Sequence, residues 1–328
     1  MRIGLFLNAQ SPSGSSASAL AEGLIAQTRA ARDADFDSVL SGQHYLSDYV
    51  QLQNVPLLGR LAAEAEGMTL GTGIVLLPLH HPVEVAESLA TLDAIADDFV
   101  AGVGAGYRDA EFDAFGISKR ERVGRLVEGI RLLELLWTEE AVTYDGDYYS
   151  VEDATISAIP SEKPPIWLAA NADRAVRRAA EMSDAWFVNP HSSMGEIRAQ
   201  KRDIYDPIRE ERGESTTVPM IREGFVAESE EEAYETAREY LEPKYERYIS
   251  WGQDEAMEDE TDLHQSFDDL AEDRFLIGTP ETVAAELERY EEEVGIDHTL
   301  FRLKWPGMDP ETACECIELI GDEIVPYV

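Results

Sequence analysis

The chain is 328 residues long and 44% hydrophobic, enough to bury a large core. It carries 66 acidic residues against 27 basic ones, a net charge of −39, which excludes a nucleic-acid binder because affinity for phosphate backbones comes from Lys and Arg. No apolar run approaches the ~18 residues that a membrane-spanning helix needs, and the opening MRIGLFLNAQ has neither a basic n-region nor a cleavage site, so the expectation is a cytoplasmic protein without a signal peptide.

In chain order, strand-like apolar runs occupy 2–8, 36–42, 69–77, 98–104, 165–170, 184–189, 218–227 and 298–305. Helical patterns alternate with them. Residues 18–34 place Leu20, Leu24, Thr28 and Ala31 on one face, and 82–97 opens on Pro82, suited to a first turn. Residues 119–137 repeat Val123, Leu126, Ile130, Leu133 and Trp137 at helical spacing. Further helical patterns cover 173–182, 194–211, 229–241, 279–294 and 310–325, the fourth of them capped by Thr279 with Pro280 behind it.

Eight strands, each followed by a helical region, predict an α/β fold with a parallel sheet, specifically a TIM (β/α)8 barrel in one domain over 1–328. A doubly wound open sheet is the alternative, but no GxGxxG opens the first unit. Two segments interrupt the rhythm. Residues 138–164 contain the hairpin signal YDGDYY and form an insertion before strand five. Residues 242–275 are polar and acidic with scattered aromatics, an insertion after helix seven that reads as a mobile lid or an extra helical excursion.

Acid is spread through the whole chain amid periodic apolar residues, which disfavours a disordered tail and suits a surface solvated in high salt. Only five of the basic residues are lysine (Lys119, Lys163, Lys201, Lys244 and Lys304). Cys314 and Cys316 sit two apart in a helical pattern, where they do not face each other, and read as reduced thiols. The six histidines show no metal-ligand spacing, and no metal is expected.

In a barrel the active site lies at the C-terminal strand ends. These ends nominate Asn8, Gln43–His44–Tyr45, Leu77–Pro78, Gly104 to Arg108, Ala170–Asn171, Asn189, Arg222–Glu223 and Lys304–Trp305. Polar and aromatic residues dominate the ring, which suits a planar, polar-edged ligand. The glycines of GVGAGY (102–107) let backbone approach a flat ring or a phosphate, though glycine also relieves crowding in barrels. The run LAANADRAVRRAA (168–180) opens a helix after small residues, either a phosphate site supported by Arg174 or Arg177 or an ordinary turn with a polar cap.

The run LGTGIVLLPLHHPVEVAESLATLDAI, then FVAGVGAGYRDAEFDAFGISKRERVGRLVEGIRLLELLW and the closing YDGDYY, resembles the bacterial luciferase-like oxidoreductases. So do PPIWLAANADRAVRRAAEMSDAWFVNP and IGTPETVAAELERY, so the resemblance covers nearly the whole chain. It implies a TIM barrel using reduced flavin mononucleotide (FMN) or the deazaflavin coenzyme F-420, a homodimer, and a separate flavin reductase as a partner of the flavin-using members. The family's second strand commonly ends in an acidic residue followed by one or two histidines over the ring. His44 matches the histidine, Gln43 stands in for the glutamate and Tyr45 for a second histidine. Gly73–Ile74 matches the family's non-prolyl cis peptide. Gly104, Gly106, Tyr107 and Arg108 match cofactor-pocket positions. Ala169–Ala170–Asn171 stands where the family's phosphate loop has glycines, and the family's SGGRF before strand four is replaced by ADDFV.

The resemblance therefore implies His44 as the catalytic acid–base. It implies Gln43, Gly73, Ile74, Gly104, Gly106, Tyr107, Arg108, Ala170 and Asn171 around the cofactor, and the strand-end positions Asn8 and Asn189 are expected to join them. The first reading is a luciferase-like monooxygenase acting with reduced FMN and oxygen on a small organic substrate. The alternatives are hydride transfer with coenzyme F-420 and flavin binding without turnover.

Overall fold

The computed structural model of the chain describes residues 1–254, 257 and 262–328. The first half runs β1 (Arg2–Leu7), β2 (Gln10–Ser11), α1 (Ala17–Asp33), β3 (Ser38–Ser41), β4 (Val50–Gln51), α2 (Asn54–Leu61), β5 (Thr69–Thr72), β6 (Val75–Leu76), α3 (Pro82–Ile95), β7 (Asp98–Gly104), α4 (Asp109–Phe115) and α5 (Arg122–Thr138). A hairpin follows, β8 (Val142–Asp145) with β9 (Ser150–Ala154), then β10 (Ile166–Ala169), α6 (Asp173–Met182) and β11 (Ala185–Phe187). The rest is α7 (Met194–Gln200), α8 (Asp206–Arg212), β12 (Pro219–Val226), α9 (Glu230–Ser250), α10 (Phe267–Arg274), β13 (Leu276–Gly278), α11 (Pro280–Arg289), β14 (His298–Arg302) and α12 (Pro310–Glu323). No helix among the described residues is long and apolar enough to cross a membrane.

The main sheet has the order β11–β10–β7–β5–β3–β1–β14–β12–β13, with parallel pairing throughout. It curls, and a single parallel bridge between Val188 and Met220 joins β11's end to β12. There the Val188 amide donates to the Pro219 carbonyl and the Ile221 amide to the Val188 carbonyl, each at 2.9 Å.

Successive strand residues point to opposite faces, so each strand feeds two cores. Ile3, Leu5, Val39, Leu70, Phe99, Val103 and Leu168 pack outward beneath the helices. Phe6, Leu40, Val100, Trp167, Phe187, Ile221 and Leu300 pack inward against one another. This double burial accounts for the near-continuous apolar strand runs.

Several elements differ from the sequence expectation, among them strand β13 of the main sheet and helix α4, neither of which it contained. Helix α2 was not anticipated, because NVPLLGRL is short and interrupted by proline and glycine. Helix α9 continues nine residues past 241, through Pro243. An internal proline costs about 3 kcal/mol, which burial of Leu241, Lys244, Tyr245 and Tyr248 on that helix offsets. The remainder of the 242–275 segment holds α10, and residues 255, 256 and 258–261 of it lie outside the described residues.

At the inward N-terminal end of the sheet, His298 is buried with Nε2 2.8 Å from Ser38 Oγ and its ring edge-on to Trp167. Burial, aided by the charge of Arg2, pulls its pKa from 6.5 down to about 3. Between those values the unfolded chain holds a proton that the folded chain refuses, so stability falls as pH drops through this window. His298→Gln is expected to flatten that loss between neutral pH and about pH 4, measured by guanidinium unfolding in molar salt. A variant that loses stability on acidification as steeply as the parent would show that His298 is not the responsible group.

Candidate active site

The inward side chains at the C-terminal strand ends surround a cavity of about 320 Å³. Phe6, Phe187 and Ile221 form its apolar floor. Gly73 lets Phe6 approach, since a Cβ there would stand 2.6 Å from the Phe6 ring. A Cβ on Gly104 would collide with the Ile74 side chain. The Gly73–Ile74 peptide is cis, and the buried Asn54 side chain of α2 donates to the Ile74 carbonyl at 3.2 Å.

Of the residues nominated from the sequence, Asn8, Gln43, His44, Gly73, Ile74, Gly104, Gly106, Tyr107, Ala170, Asn171 and Asn189 all line this cavity. Asn189 Nδ2 donates to Asn171 Oδ1, and Asn189 Oδ1 accepts from the His191 amide at 2.6 Å. Arg108 does not line it. Its guanidinium lies behind the wall, donating to the Tyr45 carbonyl at 2.7 Å and stacking 4.1 Å over Trp251. Its charge is occupied by the carboxylate beside it, which turns it away from the cavity. Tyr45 is likewise behind the wall, its hydroxyl accepting from Gln43 Nε2 at 2.9 Å and lying 3.1 Å from His80 Nε2. Gln43 is fully engaged, because its Oε1 accepts from the Leu76 amide at 3.0 Å.

The neighbour that position 43 does not supply comes from elsewhere. Glu111, on α4 and fully buried, places Oε1 3.1 Å from His44 Nδ1, 2.8 Å from the Tyr45 amide and 3.2 Å from Arg108 Nη1. Burial opposes its ionisation. The His44 hydrogen bond and charge, the Tyr45 amide and Arg108 outweigh that and hold its carboxyl below the usual range. An ionised carboxylate can only accept, so Nδ1 of His44 carries the proton and Nε2 is left as the basic atom. The ring is walled edge-on by Tyr107, Tyr248 and Trp251.

At another side of the cavity stand Arg122, Arg174 and Arg178. The Arg178 pKa is lowered by burial and then by Arg174, with Arg122 adding, so like charges are gathered here. They adjoin the N-terminus of α6, where the cap residue Ala172 makes no side-chain cap. Arg177 is not part of this wall. Four residues of the lining, Asn8, Tyr107, His191 and Arg302, each keep a buried polar atom without a partner among the described residues: Nδ2, Oη, Nδ1 and Nε in that order. A glycine-flanked apolar floor, unpaired polar edges and an arginine-lined end fit a flat heterocycle carrying a phosphate. Phe6, Ile74 and the two glycines would hold the ring, and the three arginines the phosphate.

Sequence reasoning missed Glu111, Asn54, Arg122, Arg178, His191, Tyr248 and Arg302. Only Glu111 had a local signal, its position three residues after Arg108 in the first turn of a helix, and nothing there indicated His44.

Comparison with known proteins follows the same lines. F420-dependent glucose-6-phosphate dehydrogenase of Beutenbergia cavernae is 36% identical over 177 residues, a match covering 50% of this chain and only 51% of that protein. The protein of the same name from Nakamurella multipartita is 26% identical over 321 residues, covering 90% of this chain and 89% of its own length. The FMN complex of the oxygenating constituent of 3,6-diketocamphane monooxygenase from Pseudomonas putida superposes with a TM-score of 0.85 at 20% identity, over 100% of this chain and 98% of that one. The sequence model of the luciferase-like monooxygenases matches residues 1–298, and the chain belongs to that family of oxidoreductases.

Proposed function

We propose that the chain is a (β/α)8-barrel oxidoreductase that uses coenzyme F-420 to move a hydride to or from a small hydroxy or oxo compound. The observation that carries this reading is the His44–Glu111 pair, a base on the cavity wall held by a buried carboxylate. Sequence relatives named as F420-dependent dehydrogenases support it. The coenzyme, when bound, supplies a ring carbon that accepts or returns the hydride. The protein's share is to take the hydroxyl proton at His44 Nε2 as that hydride leaves, with Glu111 fixing the tautomer and Arg108 balancing the carboxylate. The apolar floor excludes water, and Arg122, Arg174 and Arg178 attract the anionic end of the cofactor.

A second reading, a luciferase-like monooxygenase using reduced FMN and oxygen with a separate flavin reductase, is favoured by the apolar ring seat and by the family's own description. There His44 would exchange a proton near the reacting ring carbon. Either reading carries with it a small-molecule substrate, a cytoplasmic homodimer joined through barrel helices, no nucleic-acid or membrane partner, and adaptation to high salt.

Titration of the protein in molar salt with coenzyme F-420 and, separately and without oxygen, with reduced FMN tests the choice. We expect saturable F-420 binding, hydride transfer and no oxygen uptake. Oxygen consumption with reduced FMN transfers the case to the second reading, and binding of neither ends both. His44→Ala is expected to lower turnover about 100-fold or more with cofactor affinity retained, and a variant with full turnover removes His44 from catalysis. Glu111→Gln leaves the buried Arg108 without its ion partner, so unfolding free energy should fall by about 3 kcal/mol. Because the Glu111 carboxyl is held low, this contribution is full in the parent above the ordinary carboxylate range and is lost progressively as pH falls from that range to the lowered folded value. A loss under about 1 kcal/mol by denaturant unfolding would argue against the pair.

A further inference from the structure

We infer that the part of the cavity beside His44 takes an uncharged alcohol or ketone with an apolar body and turns away carboxylates and phosphorylated compounds. The inference rests on the proposed oxidoreductase reading and narrows its substrate class.

In that reading the reacting hydroxyl lies against His44, so whatever surrounds the imidazole also surrounds the substrate. Leu76, Tyr107 and Tyr248 line the cavity with it. The Tyr107 and Tyr248 rings stand edge-on to the imidazole at 6.0 and 6.2 Å. Trp251 packs on Tyr248 with ring centroids 5.1 Å apart and backs this wall. Leu76 belongs to a small apolar cluster with Leu79 and Phe112. Such a wall favours contact with carbon and supplies no counter-charge.

Charge excludes the anions. Four arginines line the cavity, and among the described residues no carboxylate does. Arg122 opens α5, and Arg174 and Arg178 lie on α6, the three that the proposed reading gives to the cofactor's phosphate. The fourth, Arg302, is already matched, 2.9 Å from the fully buried Glu223 carboxylate. Lys244 shares that carboxylate, but burial pulls its pKa from 10.5 down to about 7. It can therefore release its proton and leave the Arg302–Glu223 pair neutral. Behind the wall, Arg108 is held by Glu111 at 3.2 Å. The sequence outside the described residues, EA at 255–256 and EDET at 258–261, contains no Lys or Arg. A carboxylate or phosphate beside His44 would thus be buried without a cation, and it would meet the ionised Glu111 across the imidazole. Burying an unpaired charge costs far more than burying a hydroxyl that bonds to His44.

Calorimetric titration of the whole protein in molar salt compares cyclohexanone, 4-oxocyclohexanecarboxylate and glucose 6-phosphate. The protein is loaded with oxidised coenzyme F-420, which has no hydride to give, or with inorganic phosphate on the three arginines if the coenzyme does not bind. We expect cyclohexanone to bind at least about 30-fold more tightly than either anion. Gln253 is buried in the lining, its backbone amide on the Tyr248 carbonyl, so a cation can be added there. Gln253→Lys should bring the keto acid to within about 3-fold of the ketone. Either anion binding as well as the ketone, or no ketone binding to the parent, would overturn the proposal, as would an unchanged preference in a folded Gln253→Lys protein. Should that variant not fold, the parent's preference decides alone. Ketone preference without binding of F-420 or reduced FMN would leave the substrate class standing and remove the oxidoreductase reading. Cofactor binding together with a preference for the anions would do the reverse.

Discussion

The two-residue alternation along the curled sheet decides which side chains can do chemistry here. A strand residue faces either the helices or the interior, and the inward residues near each C-terminal strand end are the ones that reach the cavity. At the end of β1 this alternation runs from Phe6 to Asn8 just past the strand, and on β14 it runs Leu300 then Arg302. On β12, Ile221 faces in and Arg222 faces out, where it donates to Tyr290 Oη and to the Asn189 and Ser192 carbonyls. Two adjacent arginine-bearing positions, 222 and 302, thus end in unrelated roles. One braces loops and one faces the cavity.

That alternation was visible in the sequence, which is why the strand runs and most cavity residues at their ends could be read from it. What could not be read is everything that depends on two distant strand ends meeting. Glu111 reaches His44 across 67 positions, and the contact exists only because β3 and β7 flank β5 in the sheet. Arg108 illustrates the limit from the other direction. It sits at a strand-end turn where a cavity role was reasonable, but the guanidinium goes to the nearest buried carboxylate, three residues on. Asn54 was hidden because its helix is too short for its periodicity to register.

The charge distribution combines two opposite fields. At long range the chain repels anions, with a net charge of −39. Near the cavity the arrangement reverses, with Arg122, Arg174 and Arg178 on one wall and Arg302 on another. Salt separates the two effects, because at 1 M the Debye length is about 3 Å and the surface field vanishes within a water layer. Arg302, buried in the wall, is screened far less, while Arg174 is exposed and Arg122 and Arg178 are only partly buried. High ionic strength therefore removes the long-range repulsion of anions more completely than it weakens the buried charge.

Gln43 is the last point where these strands of argument meet. A carboxylate at 43 would sit on the same strand end as His44, in a place whose two partners are the Leu76 amide, a donor, and the Tyr45 hydroxyl, which accepts from residue 43. The amide of Gln43 uses one as a donor and gives a hydrogen bond to the other, so it locks the loop to β6 without adding charge. The charge then arrives from α4, already neutralised by Arg108, and it touches the imidazole on Nδ1 alone. Division of labour follows: position 43 holds the strand end in place and position 111 sets the proton on His44. A negative charge one residue from the base would have done both jobs only by lying on the cavity wall, where Gln43 now stands uncharged.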